Sequence, residues 1–177
     1  MHNLFFIDST YPMPEIKKCI ELFDLGIFHD SSSALREAAF IQLMINLNDV
    51  LQFLNTKNKR ITFSAHIKQK EGKKIDITDL VNSLRNAVCH NTSNNRNISN
   101  CTLSFCIIRG KTKAIKFGDI SIGTEFEDDI AYVYGEHMIY LKRHIYYLLR
   151  KLPNICKDVF LEEKGLVKYF LPIYISY

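Results

Sequence analysis

Leu80-Val81-Asn82-Ser83-Leu84-Arg85-Asn86-Ala87-Val88-Cys89-His90-Asn91 is the stretch on which the fold turns. Its apolar residues return at intervals of three and four, the period of a helix with one buried face. Asp76 and Thr78 stand just before it, and either can cap its N-terminus. On a wheel of about 100° per residue with Leu80 at zero, Leu80, Val81, Leu84, Ala87 and Val88 fall within about 60° of a core direction at about 40–50°. Arg85 then lies at about 140°, Asn86 at about 240° and His90 at about 280°, all turned from that core. A guanidinium, an amide and an imidazole with no carboxylate among them suit an anionic ligand better than a metal ion.

Two further helices precede this one. Pro14-Glu15 opens the first, and Ile16, Cys19, Ile20, Phe23 and Ile27 continue it at helical spacing to about Phe28. Asp30-Ser31-Ser32-Ser33 is an N-cap cluster for the second, which carries Leu35, Ala38, Ala39, Leu43, Leu47, Val50, Leu51 and Leu54 before the polar run Asn55 to Arg60. Ile61 to Ile67 reads as a short strand or an irregular bridge. Asn91 to Asn100, with five Asn, reads as a polar loop.

Beyond that loop, Thr102 to Ile108 and Ala114 to Phe117 are β-rich runs separated by Arg109-Gly110-Lys111-Thr112-Lys113, a hairpin signature, and a short strand at Ile130 to Val133 joins them. A last long helix is expected over Gly135 to Leu152, with Met138, Leu141, Ile145, Leu148, Leu149 and Leu152 on one stripe and Pro153 as its stop. Tyr140, His144, Tyr147 and Lys151 run beside that stripe, as a half-buried seam or a surface for stacking bases. The expected architecture is a mainly α-helical bundle of four to five helices with a β-hairpin inserted before the last, residues 1–177 forming one domain.

Composition fits this. The 177 residues are 47% hydrophobic and 24% charged, a soluble globular balance, and seven Gly argue against a Gly-rich nucleotide fold. Twenty-three Lys and Arg against 19 Asp and Glu give a mild positive excess that permits a nucleic-acid partner without requiring one. The loop lysines Lys68, Lys70, Lys73, Lys74, Lys111 and Lys113 fit a phosphate backbone or plain solvation. Cys19, Cys89, Cys101, Cys106 and Cys156 are odd in number and scattered, and read as reduced thiols rather than zinc ligands. Neither a membrane span nor a signal segment is expected, which points to the cytoplasm.

Arg85-Asn86-x3-His90 resembles the signature of the HEPN superfamily, Arg-x4–6-His with a polar residue directly after the Arg. The order of elements is similar too: a long second helix, the motif helix, then a long last helix. The resemblance implies a metal-independent endoribonuclease cleaving single-stranded RNA, a toxin or defence effector, with Arg85, Asn86 and His90 as its catalytic residues and no cofactor. It also implies a homodimer, in which two motif helices face each other and supply two histidines, and an antitoxin or other regulatory protein as partner. The alternative is a non-catalytic HEPN module that binds a nucleotide, RNA or a partner protein. A pairing of Arg85 with Glu37 or Glu136 would favour a structural role. In one HEPN branch the motif continues His-x-Tyr, and the Tyr is adenylylated by an antitoxin; here Thr92 stands at that place, so silencing by adenylylation is not expected.

Overall fold

The computed structural model describes residues 11–29, 33–69, 72–90, 93–98, 101–103, 105–117 and 120–163. Helix α1 spans Met13–Asp24 and is followed by a 3₁₀ turn, Ile27–His29; α2 spans Ser33–Thr56 and α3 spans Ile77–Cys89. A 3₁₀ turn at Asn94–Arg96 leads into β1 (Asn97–Ile98) and β2 (Cys101–Thr102). Strands β3 (Cys106–Arg109), β4 (Thr112–Phe117), β5 (Ile120–Thr124), β6 (Ile130–Tyr134) and β7 (His137–Tyr140) follow. The chain then enters a π-helical stretch, Leu141–Tyr146, continuous with α4, Tyr147–Glu163.

This is a mixed α and β architecture, which corrects the expectation of a mainly α-helical HEPN-like bundle with one inserted hairpin. The strands form three antiparallel ladders, β1-β2, β3-β6-β7 and β4-β5. The expected hairpin partner was wrong as well. Ile107 pairs with Tyr132 and Ile108 with Ala131, across a separation that sequence periodicity does not register. The run Ala114 to Phe117 instead folds back on β5, Phe117 opposite Ile120.

Strand β6 is the one expected at Ile130 to Val133, and it does join the first β-rich run, β3. Every residue of Ile130–Tyr134 is buried, so polar alternation is missing. Ile130, Tyr132 and Tyr134 enter the core built by the helices, whereas Ala131 and Val133 enter a second core with Ile98, Ile108, Ile122 and Tyr140. Each face of the central strand is thus covered by a different layer, helices on one side and the strand pairs on the other. On the helical side Phe40 stacks on Tyr132 at 4.5 Å between ring centroids, and the Tyr132 hydroxyl donates to the Phe28 carbonyl at 3.0 Å. Burial pushes the Tyr132 phenol up to about 12, so it stays a neutral donor.

Helix α2 is the centre of the helical layer, with Phe40, Leu43, Met44, Leu47, Val50, Leu51 and Leu54 buried. It also buries Asn46 and Asn48, whose side-chain oxygens accept from Gln42 at 2.7 Å and Gln52 at 3.5 Å, four residues away. Ile61 to Ile67 is an irregular bridge, and its carbonyls at Ile61 and Phe63 accept from the Thr78 hydroxyl and the Ile77 amide at the start of α3.

The last helix departs from expectation at both ends. Gly135-Glu136 is the two-residue turn between β6 and β7, with Gly135 at φ +56°, the region such turns demand and glycine enters freely. Pro153 does not stop the helix but lies inside it. A helix-interior Pro costs about 3 kcal/mol; against that, Leu152, Cys156 and Val159 recur at i, i+4 and i+7, all buried. Cys19, Cys89, Cys106 and Cys156 are free thiols. No helix among the described residues is long and apolar enough to cross a membrane.

His144 is fully buried in this helix and so is no base-stacking surface; along the row expected to form a half-buried seam, Tyr140 and His144 are buried and Tyr147 and Lys151 are exposed. Its Nδ1 accepts from the Tyr140 amide at 3.2 Å, which leaves Nε2 to donate to the Ala65 carbonyl at 3.0 Å. Burial, with His66 and Arg143 adding repulsion and Asp129 opposing it, pulls the imidazole down to about 4. Between the ordinary value and 4 the unfolded chain therefore binds a proton here that the folded chain refuses, and stability falls as pH is lowered, by up to about 3 kcal/mol. Urea unfolding is expected to show the stability gap between wild type and His144→Asn narrowing as pH drops from 7 to 5. A gap constant with pH would refute the assignment.

Candidate functional site

The three motif residues sit at the C-terminal end of α3, and both ends of that helix are anchored. At its start, Asp76 accepts the Asp79 amide at 2.9 Å. Arg60 grips the same carboxylate with Nε and Nη2, each at 2.9 Å, and its Nη2 also lies 2.9 Å from Asp79. This bidentate pair, partly buried, holds the helix against the bridge that precedes it. Ile77, Leu80, Val81, Leu84, Ala87 and Val88 are buried, in agreement with the helical wheel.

Cys89 is the last helical residue. His90 is the C-cap, in an extended conformation with φ −126° and ψ 106°, its amide still bonded to the Asn86 carbonyl at 3.2 Å. A wheel angle for His90 consequently has no meaning. The chain turn, rather than helical spacing, returns its imidazole toward Arg85, leaving Nε2 3.5 Å from Arg85 Nη1. The same Nη1 donates to Asn86 Oδ1 at 3.2 Å. A guanidinium only donates, so in this contact Nε2 can act only as the acceptor.

Arg85, Asn86 and His90 are thus brought together as one cluster. Arg85 and Asn86 are half-buried, and His90 is exposed. Arg85 Nε is buried with no hydrogen-bond partner. Among the described residues no carboxylate pairs with Arg85. The expected rival pairing fails for Glu37, which instead accepts from the Tyr134 hydroxyl at 3.2 Å. A cation held at a helix end with no counter-ion among the described residues, beside an exposed imidazole, has the chemistry to receive an anion.

Sequence reading missed the residues that shape the loop after the motif. Arg96, the only charged residue in Asn91 to Asn100, reaches back with Nε to the Ala87 carbonyl, one of the orphan acceptors at the end of α3. Asn95 Nδ2 donates to the Ser83 carbonyl at 3.3 Å, and the Ser93 hydroxyl accepts the Asn95 amide at 3.2 Å. The one usable signal was Arg96 itself, an isolated cation seven residues past a helix terminus. Thr92 and Asn91 lie outside the described residues. Among the described residues no three His, Cys, Asp or Glu side chains gather as a metal site would need.

The loop also rests on the sheet. A Cβ on Gly135 would stand 2.3 Å from the Asn95 carbonyl oxygen, 2.9 Å from the Arg96 carbonyl carbon and 3.0 Å from the Asn97 carbonyl oxygen. All three are backbone atoms, and none can swing aside. The Gly135 amide donates to the Leu103 carbonyl, and the Leu103 amide donates to the Arg96 carbonyl, both at 2.9 Å.

Compared with known proteins, the chain matches no family model, and neither curated proteins nor solved structures give a match. The site must be judged on its geometry.

Gly135→Ala is expected to cost about 2 kcal/mol or more, combining a left-handed backbone that Ala resists with the clash against the loop. Urea denaturation measures the loss, and limited proteolysis should find new cleavage between Ser93 and Leu103. Wild-type stability and an unchanged digest would show that the loop does not depend on this contact.

Proposed function

We propose that the chain is a metal-independent endoribonuclease of HEPN type that cleaves single-stranded RNA, a toxin or defence effector working as a homodimer. The observation that carries this reading is the Arg85 guanidinium, without a carboxylate partner among the described residues and 3.5 Å from the exposed His90. The reading rests on this cluster and on the motif resemblance, not on a helical-bundle topology.

The chemistry needs three services. A neutral imidazole takes the proton of a ribose 2′-OH, whose oxygen attacks the adjacent phosphorus; the P–O5′ bond breaks, and the departing oxygen receives a proton, leaving a 2′,3′-cyclic phosphate. Arg85 offsets the negative charge that grows on the phosphorane oxygens. Asn86, already bonded to Arg85, fixes the plane of the guanidinium. One chain supplies one motif histidine, so the base and the acid come from two copies of His90 facing across a two-fold axis. The exposure of His90 at the end of α3 supports such sharing.

Purified protein is expected to cut single-stranded RNA in the presence of EDTA, with His90→Ala and Arg85→Ala each losing at least about 10²-fold. Equal cleavage by wild type and His90→Ala would refute the assignment. Binding without cleavage by the wild type would instead favour a non-catalytic RNA-binding module.

Sedimentation at micromolar concentration is expected to give a species of twice the 20.6 kDa chain mass. Full activity in a strictly monomeric protein would rule out a shared site.

A further inference from the structure

The outer face of the last helix carries two aromatic residues side by side, Tyr146 and Tyr147, 46% and 39% exposed. Each is followed four residues later by a cation. The Arg150 guanidinium lies 5.9 Å from the Tyr146 ring centroid and Lys151 Nζ 4.5 Å from that of Tyr147. Neither Arg150 nor Lys151 has a carboxylate partner among the described residues. Each ring is also steadied by a phenylalanine: Phe23 at 6.1 Å from Tyr146, and Phe63 edge-on at 4.8 Å from Tyr147.

Tyr146, Tyr147, Arg150, Lys151 and Phe63 line a groove of about 620 Å³ whose remaining wall includes His66. Lys142 and Arg143 also line it, but Asp128 pairs with Lys142 and both Asp128 and Asp129 pair with Arg143, so the uncommitted charge is that of Arg150 and Lys151. No acidic residue is among the lining. Exposed rings interleaved with unpaired cations offer stacking to bases and counter-charge to phosphates, a combination that fits a single strand of nucleic acid.

Its place is distinct from the motif. Phe63, a wall of the groove, accepts the Ile77 amide at the start of α3, whereas His90 lies at the other end of that helix, roughly 18 Å along its axis.

We propose that the Tyr146–Tyr147–Arg150–Lys151 groove is a binding site for single-stranded RNA, separate from the Arg85–His90 cluster. It rests on the reading of RNA as the ligand but not on catalysis at His90. Two bases stack on the two tyrosines, and Arg150 and Lys151 meet the backbone between them.

The test is fluorescence anisotropy with a labelled 12-nucleotide 2′-fluoro oligouridine, which lacks the 2′-OH and so is not cut. Tyr146→Ala and Tyr147→Ala should each weaken binding at least about fivefold, with Tyr147→Phe retaining it. Arg150→Gln with Lys151→Gln should weaken binding and make the slope of log affinity against log salt shallower by about 0.7 for each cation removed. Urea midpoints of the variants verify that they fold. Unchanged affinity in Tyr146→Ala, Tyr147→Ala and the Arg150→Gln with Lys151→Gln variant would overturn the proposal, even where RNA is cut at the motif. Loss of binding in His90→Ala alone would overturn it too, by placing the strand at the other end of α3. Groove-dependent binding with no cleavage of ordinary RNA would support the groove while the catalytic reading fails. Association with anionic vesicles, abolished by the same substitutions while the oligouridine does not bind, would overturn it in favour of a membrane surface.

Discussion

The carboxylate of Asp129 is the point on which the rest of the structure hangs. Its side chain is 1% exposed and receives four N–H groups: Oδ1 those of Ile130 and Lys142, Oδ2 the Arg143 amide and guanidinium. A buried charge of this kind is tolerable only when its lone pairs are met, and here they are. The bonds tie the first residue of β6 to the first turn of the last helix, although β7 and its turn lie between them. Strand β6 therefore cannot move without the helix. Since β6 contributes to both hydrophobic cores, the carboxylate fixes the helical layer and the strand layer to each other.

Helices were legible in the sequence because their cores repeat locally. Leu80, Leu84 and Val88 declare α3 without help from any distant residue, and Asp76 declares its start. The sheet was legible only in part: the runs that became β3, β4 and β6 read as strands, whereas β5, β7 and the pairing did not. Ile130–Tyr134 is apolar on both faces, so its composition marks it as a strand but no alternation says which face meets which layer, and its partners β3 and β7 are fixed by pairing rather than by pattern. Met138, Leu141 and Ile145 imitate a helical stripe, yet Met138 belongs to β7. Only Gly135, as a turn, separates the two readings.

The motif was legible in composition and not in geometry. Arg85, Asn86 and His90 do meet, as their chemistry anticipates, but the wheel that placed them treated His90 as helical. An extended C-cap brings the imidazole to Arg85 from outside the helix. Arg96 and Asn95, which bind the loop back onto α3, sit in a run that looks like solvated polar filler. Asparagine-rich sequence is uninformative because the same amides serve equally well for bonding water and for bonding backbone.

Gly135 gives the fold an order of assembly. The contact between Arg96 and Ala87 spans nine residues and can close as soon as α3 exists, whereas the surface on which Asn95 to Asn97 rests is the β6–β7 turn, about forty residues further along. On a chain made from its N-terminus, the motif helix emerges long before that surface does. The loop bordering Arg85 and His90 thus takes its final place only after the sheet has closed, and the site is the product of late, long-range contacts grafted onto an early helix.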